Sequence, residues 1–344
     1  MEYGAIDLHT RRSQIRIVDA EGRIVLERKI ETTREDLARV FGPRARLRIL
    51  IESSTESEWV AQQLEGLGHE VIVADPNYAA MYGSRSRKIK TDRRDGAALA
   101  EANRTGVYRR AHRASAASQT LRQTLRVRSH LVQLRSRTIS LLRAQLRREG
   151  VRLPSGSAEG LVTRLDRLAV PAALTAVIAP LRELLTQVNA SLAAREQEVE
   201  ARAAMDPTTQ RLMTAPGVGP IVALTFQAVL DDPARFGGDA ARASAFLGLV
   251  PSEDSSAERQ RKGHITKAGP RDLRALLVQA SWVIWRGRRA AGAGLRAWAH
   301  ALAARRGRRI AIIGLARRLS RILYAMWRDQ KDFVVRLRPV AVGA

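Results

Sequence analysis

Tyr3-Gly4-Ala5-Ile6-Asp7-Leu8-His9 opens the chain as a short apolar strand with one carboxylate in its middle. A carboxylate inside a strand is costly to bury without a partner, so Asp7 asks for a functional explanation. Working outward, residues 14–20 (Gln-Ile-Arg-Ile-Val-Asp-Ala) alternate as a second strand, Glu21-Gly22 supplies a turn, and Arg23 to Ile30 returns as a third. A polar helical stretch follows near residues 33–41. Leu47-Arg48-Ile49-Leu50-Ile51 then reads as a buried fourth strand ending at Glu52-Ser53-Ser54. Residues 57–67 have a helical pattern, and Glu70 to Ala74 makes a fifth strand running into Asp75-Pro76.

Three meandering strands and then alternating helix and strand is the element order of a ribonuclease-H-like α/β domain. In such a domain the acids of the first and fourth strands lie on neighbouring central strands, and the closing helix brings its own acids alongside. That helix begins at Lys90-Thr91-Asp92-Arg93-Arg94-Asp95, where two carboxylates three residues apart share one face. Alone, the hexapeptide fits two uses. Thr91 or Asp92 caps the helix for ~1 kcal/mol while Asp95 complements its positive end. Or the carboxylates hold a cation while Lys88, Lys90, Arg93 and Arg94 hold phosphates. Asp7, Glu52, Asp92 and Asp95 taken together favour the second use, converging on one or two Mg2+ ions with Mn2+ as a substitute.

Composition points the same way. Among 344 residues, 59 Lys and Arg stand against 34 Asp and Glu, a net charge of +25. The expected partner is a polyanion, DNA or RNA, bound less tightly as salt rises. Cysteine is absent, which excludes disulfides, zinc fingers and thiol nucleophiles, and the six His form no zinc pattern. No apolar run approaches the ~20 residues of a spanning helix, and no signal peptide is visible. The expected setting is the bacterial cytoplasm, in association with the nucleoid, with no membrane partner.

Beyond Tyr108 the texture changes. From Ser115 to Glu149 there is no Pro or Gly, and Leu125, Val132, Ile139 and Leu146 recur by sevens. A second seam runs through Ile178, Leu185, Leu192 and Val199. Either a helical hairpin or an intermolecular coiled coil satisfies both seams. Arg122, Arg126 and Arg135, on a helix with almost no acids, are expected at phosphate. The chain thus divides into 1–108 (α/β), 109–205 (helical, coiled coil) and 206–344 (an all-α domain).

In the last segment, Ala215-Pro216-Gly217-Val218-Gly219-Pro220 resembles a helix-hairpin-helix turn, whose backbone N–H groups meet a phosphate. A tight turn between core helices is the competing use of Gly217 and Gly219. Ser255-Ser256 sits in a polar loop before Lys262-Gly263-His264-Ile265-Thr266-Lys267-Ala268-Gly269. On chemistry alone these serines are loop residues, since no Ser-His-Asp arrangement is visible. Trp282, Trp285, Trp298 and Trp327 serve either base stacking or the core.

The three acid elements resemble the DEDD (RuvC-like) domain of the "one-ten" family of insertion-sequence transposases, which includes Piv-type invertases and bridge-RNA-guided recombinases. Gly248-Leu249-Val250-Pro251, Ser255-Ser256 and Gly263-His264-Ile265-Thr266-Lys267-Ala268-Gly269 resemble that family's second domain. The resemblance implies a site-specific recombinase acting through a phosphoserine. Its nucleophile is Ser256 (Ser255 as fallback), its metal ligands are Asp7, Glu52, Asp92 and Asp95, and Lys262 and Lys267 are at nucleic acid. It implies double-stranded DNA (element ends, junction and target) and a structured guide RNA as partners. It also implies a composite site in a homo-oligomer, a dimer or a DNA-assembled tetramer. Ala257 stands where the family has Gly. The competing activities are a Holliday-junction-resolvase-like nuclease using water and a non-catalytic nucleic-acid-binding scaffold.

Overall fold

The computed structural model describes residues 2–83, 92–253 and 262–334. They group into two compact units, Met1–Ala114 and Ser115–Ala344.

The first unit is built on five strands, β1 (Tyr3–Asp7), β2 (Arg12–Val18), β3 (Ile24–Glu31), β4 (Arg48–Glu52) and β5 (Glu70–Ala74), in the order β3-β2-β1-β4-β5. β1 and β2, and β2 and β3, are antiparallel; β1 and β4, and β4 and β5, are parallel. That is the mixed sheet expected from the strand pattern. Period-two alternation assigns its two faces. Ile6, Ile15, Ile17, Ile49, Ile51 and Val73 pack with α1 (Arg34–Phe41) and α2 (Ser57–Gly66). On the other face, Ala5, Val18, Leu50 and Ile72 pack with Leu99, Ala100 and Ala102 of α3 (Asp92–Thr105). Helix α1 starts at a side-chain cap, Thr33 accepting from the Asp36 N–H, while the Asp36 carboxylate accepts from the Glu31 N–H at the end of β3. Residues 109–111 return to β5 through Asp75 N–H to Arg109 O and Ala111 N–H to Val73 O.

Among the described residues, the second unit is helical apart from one β-ribbon. The heptad helices α4 (Ala116–Arg148) and α6 (Ala172–Met205) flank the short α5 (Leu161–Leu165). Leu121 and Leu125, near the start of α4, meet Val199 and Ala203 near the end of α6. Ile139, Leu142 and Leu146 meet Leu174, Ile178 and Leu185 at the opposite ends. The two helices are therefore an antiparallel hairpin whose seam is filled within the chain, as the first of the two sequence alternatives has it. The hairpin continues into the C-terminal helices, since Leu224 and Ala228 join Leu121 and Val199.

Those helices are α7 (Pro207–Met213), α8 (Pro220–Leu230), α9 (Ala240–Phe246), α10 (Arg271–Arg286), α11 (Ala293–Arg306) and α12 (Arg308–Asp329). Phe226, Leu230, Leu277, Leu319 and Tyr324 centre their core. Between α9 and α10 lies a two-stranded antiparallel ribbon, β6 (Pro251–Glu253) and β7 (Lys262–Ile265), which an all-α expectation omits. Strands of three and four residues around a polar loop carry too little alternation to be read from sequence.

Candidate active site

The carboxyl ends of β1 and β4 carry Asp7 and Glu52 as their last residues. The parallel register Ile6↔Ile51 makes the two acids neighbours on adjacent strands. Both share the side-chain parity of Ala5 and Leu50, which face α3. Asp7 is 7 % exposed and Glu52 is half-buried.

Beside the apolar packing of α3 on the sheet, one buried side chain ties the helix to two strands at once. The Asn103 amide, fully buried, donates to Gly4 O of β1 and to Arg48 O of β4, each at 2.8 Å. From Asn103 back to Asp95 the helix rises about 12 Å. From Gly4 to Asp7 the strand advances about 10 Å. Running antiparallel to β1 and β4, α3 therefore brings its first turns to the strand ends that bear Asp7 and Glu52. Two observations agree: Asp95 is 8 % exposed, and Gly96 lies against Gln14, the cross-strand partner of Asp7. Asp92 is the first residue of α3, one turn beyond, but its side chain lies outside what is described. Among the described residues, no group of three or more His, Asp and Glu stands close enough to hold a metal ion. Mg2+ is commonly bound by one or two carboxylates with water and substrate phosphate completing its shell, so an oxygen-only donor set of this kind suits it.

Three residues that the sequence pattern did not single out belong to this neighbourhood. Asn103 is the first. His9 is the second: its Nε2 lies 3.4 Å from Asp7 Oδ2, and its backbone is held by Ser13 and Thr32. Glu27 of β3 is the third. It accepts from Arg93 at 3.0 Å and from Arg16 at 3.2 Å, tying the first turn of α3 to the sheet. The bond to Glu27 raises the Arg93 guanidinium above its ordinary pKa. Arg93, expected at phosphate, is thus in an ion pair with Glu27, and both it and Arg94 are exposed. Lys88 and Lys90 lie outside the described residues.

In the chain, the serine pair falls between β6 and β7. Ser255, Ser256 and Ala257 lie outside the described residues, as does the side chain of Lys262. The base of the ribbon is described and is tightly built. Gly248 (φ +66°) and Gly269 (φ +83°) lie so close to Ala268 O and Phe246 O that a Cβ at either would collide with backbone. Arg274 of α10 donates to Leu247 O and Ala268 O, at 3.1 and 3.3 Å. Lys267 is exposed and adopts φ +56°, a left-handed conformation uncommon outside glycine.

The Gly217–Gly219 turn has one internal reason. Gly217 has φ +76°, and a Cβ there would stand 2.6 Å from Ala280 O of α10. Gly219 caps α8, and a Cβ there would meet open space. The arginines of α4 divide. Arg122 donates to Ala228 O and Val229 O at the end of α8, at 2.6 and 3.0 Å, and burial lowers its pKa. Arg135 pairs with Glu159 at 2.8 Å, whereas Arg126 is exposed.

A DEDD transposase domain of the IS110 type matches residues 5–149, and the transposase family IS116/IS110/IS902 matches residues 209–294. A probable family 20 transposase of Pseudomonas aeruginosa is 28 % identical over 93 % of this chain and 95 % of its own length. The transposase for insertion sequence element IS1328 of Yersinia enterocolitica is 25 % identical over 93 % of this chain and 95 % of its own. That for element IS1111A of Coxiella burnetii is 24 % identical over 92 % and 86 %.

Proposed function

The chain belongs to the IS116/IS110/IS902 family of transposases, and from that premise we propose that it recombines DNA at its own insertion sequence through a phosphoserine. Asp7, Glu52, Asp92 and Asp95 hold Mg2+, or Mn2+ in its place, which when bound stabilises charge developing at phosphorus and at the leaving oxygen. Ser256 Oγ attacks a backbone phosphorus; the new O–P bond forms as the P–O3′ bond breaks, and the departing 3′-hydroxyl takes up the proton that serine loses. A second 3′-hydroxyl reverses the step and rejoins the strand to a new partner. Ser255 is the alternative nucleophile.

One observation carries this assignment furthest. Asn103 fixes α3 so that the turn bearing Asp95 reaches the strand ends bearing Asp7 and Glu52. Arg126, Lys267 and the Gly219 N-terminus of α8 remain open to phosphates on duplex DNA. A structured RNA selects the target, and two or four chains assemble on the DNA.

Trapping a protein–DNA adduct tests the mechanism. With matched DNA, RNA and Mg2+, the wild type should yield a denaturation-resistant adduct mapping to Ser256, lost in Ser256→Ala and retained in Ser255→Ala. Cleavage that survives in Ser256→Ala without any adduct identifies a water-using nuclease instead.

A further inference from the structure

The C-terminal helices carry four tryptophans with unequal surroundings. Trp285, Trp298 and Trp327 pack against the core; among the described residues, Trp282 is not one of the side chains packed there. It is half-buried, and its neighbour Val283 is 59 % exposed. The Arg286 guanidinium lies 5.0 Å from its ring centre and that of Arg308 5.8 Å. Trp285 meets it edge-on at 6.4 Å, and Trp285 in turn stacks on exposed His300 at 3.9 Å.

Core packing does not account for Trp282. The surrounding charge is of one sign: no Asp or Glu occurs between Asp272 and Asp329, and Arg286, Arg305, Arg306, Arg308 and Arg309 are exposed. Aromatic rings among cations match a ligand that offers both flat faces and negative charge. Duplex DNA offers the charge but hides its faces in the stack; an unpaired strand offers both.

We propose that Trp282 is a stacking platform for an unpaired DNA base, and that Arg286 and Arg308 turn from its ring to the flanking phosphates when the base arrives. DNA is the occupant because cutting and exchanging strands separates paired bases. The proposal rests on membership of the transposase family and is independent of the acids and of Ser256.

Fluorescence anisotropy on the full chain tests it, with a short labelled oligothymidine and an abasic strand of equal length. Trp282→Ala and Trp282→Leu should weaken oligothymidine binding by about ten- to a hundredfold, the range that stacking one base spans. Trp282→Phe should retain most of the affinity, and the abasic strand should bind wild type and all variants alike. Unchanged oligothymidine binding in Trp282→Leu overturns the proposal. So does an equal loss on the abasic strand, or a loss confined to oligouridine, which would assign the platform to RNA.

Discussion

Asn103 donates both protons of its amide to carbonyls of neighbouring strands, and leucine at that position keeps the bulk while removing both donors. The stranded carbonyls should cost about 1–3 kcal/mol. Urea unfolding of Asn103→Leu should show that loss, together with a fall in DNA cleavage larger than the unfolded fraction explains; wild-type cleavage by the folded variant would show that Asn103 does not position the acids. Asp75 offers a pH test. The Asn77 backbone N–H holds its carboxyl below the ordinary value, and Arg109 adds to this against the opposing effect of burial. A lowered native pKa means that the ionised form stabilises the fold above the unfolded value of about 3.9. That contribution is lost as pH falls through the lower native value. The urea midpoints of wild type and Asp75→Asn should therefore differ at neutral pH and converge as acid titrates the native carboxyl; a gap that stays constant from neutral pH into the acid-unfolding range would contradict the assignment.

Elements differ in how far their sequences speak for them. The sheet was legible, because β1, β2, β4 and β5 alternate or run apolar and Glu52 falls at a strand end; Asp7, read in the middle of its strand, is instead the last residue of β1. The seams of α4 and α6 were legible as well, though a heptad pattern leaves open which helix fills it; Leu142, fully buried against α6, settles that within the chain. Leu142→Ala should cost about 2–5 kcal/mol in equilibrium unfolding. Some arginines of α4 have partners that the helix's own sequence does not show. Their local stretch lacks acids, but Glu159 and Glu196 come from later in the chain to pair Arg135 and Arg128. Three-dimensional neighbours of this kind leave no trace in one helix's pattern. The same holds for Asn103, Glu27 and His9, whose roles depend on packing distances rather than on a motif. Arg122 and Arg126 separate the two uses of charge. Arg126→Ala should reduce the salt slope of DNA binding by about one ion. Arg122→Ala should lower stability instead, because two carbonyls of the last turn of α8 lose their donor, and should leave the slope unchanged.

For the molecule as a whole, a net charge of +25 and family membership agree on a polyanionic partner. No helix among the described residues is long and apolar enough to cross a membrane. DNA affinity should fall log-linearly with salt, steeply enough that several phosphates are in contact. What would make the protein more than a basic DNA binder is the divalent cation proposed for the ends of β1 and β4 and the start of α3. Titration of Mn2+ into the full chain, followed by electron paramagnetic resonance of the free ion, examines that directly and needs no substrate. Wild type and Ser256→Ala should bind Mn2+ with equal affinity, while Asp7→Asn and Asp95→Asn, folded as judged by circular dichroism, should weaken that binding by about tenfold or more, the loss that removing even a partner of a metal ligand causes. Equal Mn2+ binding by wild type and Asp7→Asn would contradict the account.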